Sequence, residues 1–139
     1  MQADDLDAII VCPSNPYLSV DPILRVPGIL AALESVRVPI IAVSPLIGGQ
    51  AVKGPTAKIM AELGIAITNQ SIASHYRGLI DGLVIDEADF ADRERIDVPA
   101  LVTRTMMHDL ADRERLAGEV IAFAETITHC PAKRAGERR

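Results

Sequence analysis

Three short runs of aliphatic, mostly β-branched residues constrain this chain more than anything else in it: Leu6 to Cys12 (LDAIIVC), Val38 to Ser44 (VPIIAVS) and Gly82 to Asp86 (GLVID). Each is about as long as one strand and nearly continuously apolar. A strand open to water on one side alternates polar with apolar residues, whereas these runs read as strands covered on both faces. Pro99 to Thr103 (PALVT) supplies a fourth. Strands of this kind pair in parallel, and parallel neighbours need a crossover element between them.

Helical periodicity fills the gaps. From Val20 to Val36 the apolar residues Ile23, Leu24, Ile29, Leu30 and Leu33 are interrupted at Pro27–Gly28, which predicts a short turn around Pro22 to Leu24 and a helix from about Gly28. Pro55 sits at a natural first helical position for PTAKIMAEL, which Gly64 ends. IAIT reads as a brief strand and SIASHYRGLI as another helical turn or two. Asp109 to Thr128 carries Leu116, Val120, Phe123, Ala124 and Ile127 at helical spacing and makes the closing helix. The expected architecture is α/β: an open, mostly parallel sheet with flanking helices, formed by a single domain over residues 1–130, with 131–139 as a flexible basic tail.

Composition narrows the function classes. With 14 basic against 19 acidic side chains the formal charge is −5, and no basic stripe offers a nucleic acid its footprint. Two Tyr, two Phe and no Trp leave an aliphatic core. Cys12 and Cys130 share no metal-ligand spacing, and Cys12 reads as core filler at a strand end. No apolar run has the length of a membrane span, and MQADDLD lacks the charge pattern of a signal peptide, so a cytoplasmic location is expected.

In open α/β sheets, ligands bind in the loops beyond the carboxyl ends of the strands. Two unusual loops lie there. In PSNPYLSVDP, Ser14, Asn15 and Ser19 bring neutral polar groups while Pro16 and Pro22 stiffen their presentation, a combination that suits a phosphate or simply caps and turns the chain. In PLIGGQAVKG, Gly48, Gly49 and Gly54 allow close backbone approach, and Lys53 offers a positive charge. This second loop is no Walker A motif, because Pro55 stands where the phosphate-binding lysine is needed. His75 is a further ligand candidate, and more often such a lone histidine is structural. Asp86, Glu87 and Asp89 offer carboxylates to Mg²⁺, with a solvated acidic rim as the plainer alternative.

The strings PSNPYLSVDPILRVPGI, VSPLIGGQAVKGPTAKIM, HY, LIDGLVID and LADRERLAGEVIAFAE, in this order, closely resemble the 2-phospho-L-lactate transferase (CofD) family, over its C-terminal part. The resemblance implies a Rossmann-like fold and a role in biosynthesis of the deazaflavin coenzyme F-420. It implies transfer of a phospholactyl, phosphoenolpyruvyl or phosphoglyceryl group from a guanosine diphosphate conjugate of a three-carbon acid to the deazaflavin Fo. GMP leaves, and Mg²⁺ assists. On this reading Ser14, Asn15 and Ser19 surround the diphosphate or the transferred group, and the loop from Gly48 to Gly54 with Lys53 lines the same cleft. A non-catalytic module that binds a phospho-ligand or a partner is the alternative. A sheet edge left open by the missing first part implies self-association or association with that part.

Overall fold

A computed structural model describes residues 6–51 and 54–127. Four strands form a parallel sheet in the order β1 (Ile9–Val11), β2 (Ile40–Val43), β5 (Gly82–Asp86), β6 (Ala100–Thr103). Ile9 pairs with Ile40, Ile41 with Gly82, and Leu83 with Ala100, so the four expected strands are all present and in register. Lys53 and the tail 131–139 lie outside the described residues.

Period two divides the buried strands between two cores. Ile40, Ala42, Leu83 and Ile85 face one layer, with Met60, Ile72, Tyr76, Leu79 and Ile80. Ile41, Val43 and Val84 face the other, against Leu116, Val120 and Ala124. The first layer contains α3 (Thr56–Glu62) and α4 (Asn69–His75), with α2 (Ile29–Ser35) at its margin; the second is α5 (Leu110–Thr126). At Gly82 the helix α5 packs tightly on the sheet, since a Cβ there would lie 2.8 Å from the Phe123 ring.

Several local expectations are corrected. IAIT forms no strand, because the chain from Gly64 to Thr68 is spent on the reversal between α3 and α4. Pro55 caps α3 instead of occupying its first turn. Cys12 is exposed rather than core filler, because β1 is an edge strand whose pairing ends at Val11. Gly48 and Gly49 both have positive φ, 61° and 68°, and turn an unforeseen antiparallel hairpin between β3 (Leu46–Ile47) and β4 (Gln50–Ala51). Adjacent glycines meet the demand of a two-residue hairpin turn for positive φ at both positions.

Candidate functional site

The two loops singled out in the sequence leave the same end of neighbouring parallel strands, β1 and β2. They also meet further out. The turn Pro16–Val20, a single turn of π-helix, packs against α3, the helix that follows the glycine loop. Asn15 caps that turn: its Oδ1 accepts from the backbone N–H of Tyr17 at 2.9 Å and of Leu18 at 3.0 Å. Its Nδ2 is buried and has no hydrogen-bond partner among the described residues. Pro16 is buried and presents no surface to a ligand; it fixes the turn. Ser14 is half-buried, while Ser19 and Pro22 are exposed.

Behind this turn lies a cavity of about 440 Å³ lined by Tyr17, Ile65, Gln70, Ser71, Ser74 and His75. Its size falls within the range of small-ligand sites. Tyr17 comes from the turn after β1, and Gln70 to His75 come from α4. His75 closes the group: its Nε2 lies 2.8 Å from Asp21 Oδ1, on α1 (Asp21–Leu24), and its ring meets Tyr17 edge-on at 4.7 Å. The Asp21 carboxylate therefore fixes the imidazole across 54 residues of sequence. Burial, and secondarily Asp21, raise the Tyr17 hydroxyl above the ordinary tyrosine value, so it remains a donor at neutral pH. Burial above all, then Asp21 and Tyr17, raise the hydroxyl of the buried Tyr76 further still. Hydroxyl, amide and imidazole groups against one apolar wall can hold a phosphate or a sugar without a full charge.

The glycine loop is built differently from the expected phosphate cradle. The backbone N–H groups of Gly48 and Gly49 donate to the two oxygens of Asp89, at 3.0 and 2.7 Å. An internal carboxylate thus holds the donors a phosphate would need, and Gly48 and Gly49 read as a braced hairpin. Asp89 is 8% and Asp86 4% exposed, so these two are no solvated rim, whereas Glu87 is exposed as that reading expects. Asp86 accepts from the N–H and hydroxyl of Thr105, and Asp92 from Asn69. Among the described residues no three His, Cys, Asp or Glu side chains converge to hold a metal ion, and these carboxylates face N–H and hydroxyl donors. They do not fit a Mg²⁺ site.

Of the residues proposed from sequence, the structure brings His75 to the cavity directly and Asn15 beside it through Tyr17. Tyr17, Asp21, Gln70, Ser71 and Ser74 were missed. The signal available for α4 was weak, a bare NQSIASH with serines at helical spacing; none announced that Asp21 would meet His75.

A family model described as 2-phospho-L-lactate transferase CofD matches residues 2–126. The chain is 37% identical over 121 residues to the 2-phospho-L-lactate transferase of Methanocaldococcus jannaschii, covering 87% of this chain and 38% of that protein. It is 35% identical to the phosphoenolpyruvate transferase of Streptomyces coelicolor, over 88% of this chain and 40% of the relative. The 2-phospho-L-lactate transferase of Methanococcoides burtonii is 34% identical over 87% of this chain, again 40% of the relative. The chain thus spans about two fifths of the length of these curated relatives. With a match running from β1 through α5, the chain belongs to the 2-phospho-L-lactate transferase CofD family.

Proposed function

We propose that this chain is the donor-binding portion of a transferase that moves a phospholactyl-type group from a guanosine diphosphate-linked three-carbon acid to the deazaflavin Fo, releasing GMP, in the coenzyme F-420 pathway. The observation that carries the reading is the convergence of the turn after β1 with α4 on one polar cavity, in a chain of this family. Transfer of such a group is mostly a matter of positioning and electrostatic stabilisation, tasks suited to preset neutral donors. In this reading Tyr17, Ser71, Ser74 and His75 hold donor oxygens, Asn15 sets Tyr17, and Lys53 adds a positive charge. In this reading the part of the relatives that the present chain does not span supplies the acceptor side, from the same or an associated polypeptide.

Calorimetric titration of GDP, with and without Mg²⁺, into the chain and its Asn15→Ala, His75→Ala and Lys53→Ala variants tests it. Weaker binding in the variants is expected. Equal affinity in all four removes these groups from the site. The alternative is a binding module without catalysis. Mass analysis of Fo incubated with the chain and the donor separates the two readings.

A further inference from the structure

The segment DEADFAD places Asp86, Asp89 and Asp92 three residues apart: Asp86 ends β5 and caps the 3₁₀ segment Glu87–Arg95, which is two short helices meeting at a kink at Asp89. A 3₁₀ turn brings the chain round every three residues. Burial follows that period: Asp86 and Asp89 are buried and Asp92 is half-buried, while Glu87, Ala88, Phe90, Ala91 and Arg93 are exposed. Each inward carboxylate grips a different loop. Asp86 Oδ2 accepts from Thr105 N and Oγ1 after β6, at 2.8 and 3.0 Å. Asp89 spans the hairpin amides of Gly48 and Gly49. Asp92 Oδ2 accepts both from Asn69 N, at 2.9 Å, and from Asn69 Nδ2, at 3.2 Å. Asn69 opens α4, and its Oδ1 in turn accepts from Ser44 Oγ at the end of β2.

We propose that Asp86, Asp89 and Asp92 are positioning residues, a carboxylate ladder that sets three loops at the sheet's carboxyl edge, with Asp92 acting through Asn69 to place Ser71, Ser74 and His75 in the cavity. None of the three carboxylates lines the cavity. Its effect on binding is indirect, and that part of the inference rests on the donor-binding reading above.

The bonding pattern makes asparagine a sharp probe. At Asp92 one oxygen accepts both bonds, so Asn with its carbonyl in that position keeps both while losing the charge. At Asp89 each oxygen accepts one amide, so Asn keeps one bond and sets an NH₂ against the other N–H. The experiment pairs GDP titration with amide exchange and ¹⁵N resonances of the cavity residues in Asp92→Ala, Asp92→Asn and Asp89→Asn. Asp92→Ala is expected to weaken GDP binding about tenfold and shift the resonances of Ser71, Ser74 and His75, with Asp92→Asn restoring both to within about twofold. Asp89→Asn should speed exchange at only one of the two glycine amides. If alanine prevents folding, Asp92→Ser takes its place. Unmoved cavity resonances in Asp92→Ala, or equal exchange at both glycines in Asp89→Asn, overturn the ladder. If the unaltered chain binds no GDP, the donor-binding reading fails, and the resonances alone still decide the ladder.

Discussion

Asn69 is fully buried at the first position of α4, and its carboxamide bridges Ser44 Oγ at 2.5 Å and Asp92 at 3.2 Å. Replacing it by alanine removes both bonds. The Ser44 hydroxyl, 2% exposed, then lacks its acceptor, and a buried polar group left unsatisfied costs about 1–3 kcal/mol. Loss of the Nδ2 donor to a carboxylate adds about 1–2 kcal/mol, at the low end because half-buried Asp92 can turn to water. Asn69→Ala should therefore cost about 3 kcal/mol. Ser44→Ala should cost about 2 kcal/mol, since Leu46 N also loses its acceptor. In the double variant no hydroxyl remains to be stranded, so the total should fall short of the sum by about 1–2 kcal/mol. Urea denaturation of the four proteins at a shared m-value measures this. Additivity within about 0.5 kcal/mol would refute the idea that these side chains form one buried unit.

Two further outcomes follow from particular contacts. The Thr103 hydroxyl donates to Glu119 and, with burial opposing and Arg115 assisting at 3.1 Å, holds its carboxyl below the usual glutamate range. A depressed carboxyl stabilises the fold above its unfolded value of about 4.3, and that contribution is lost as pH falls through the lower folded value. Glu119→Gln should thus flatten the acid limb of a urea-midpoint profile below about pH 4 while the parent falls; parallel limbs would disprove the assignment. At the other sheet edge, β1 pairs only with β2 among the described residues and Ile10 is 38% exposed. Concentration-dependent association in sedimentation velocity is expected, and Ile10→Lys should reduce it, because a charge on an edge strand opposes strand addition; an unchanged distribution places the contact elsewhere.

The four parallel strands and the closing helix were legible in the sequence because burial on both faces leaves a compositional mark that no local competitor erases. IIAV and GLVID are buried throughout as inner strands, whereas IIV, just as apolar, lies at the sheet's edge with Ile10 exposed, so its burial on both faces was misread. The hairpin at Gly48–Gly49 was read for its glycines and not for its geometry, since a close approach to phosphate and a tight turn ask for the same residues. The acidic segment misled for a related reason: carboxylates in a charged run ordinarily face water, and their burial depends on amides delivered from three other loops.

Which end of the sheet gathers the polar loops was decided by the sequence itself, through the order of apolar runs and breakers, because parallel strands send successive loops to a common edge. Family membership was legible there too, in long ordered strings. Only the tertiary structure decided which side chains meet. Asp21 reaches His75 across 54 residues, and Asp89 reaches Gly48 across 41. Contacts of that separation leave no periodicity in the chain, since they are fixed by how helices settle on the sheet rather than by the spacing of neighbours along it.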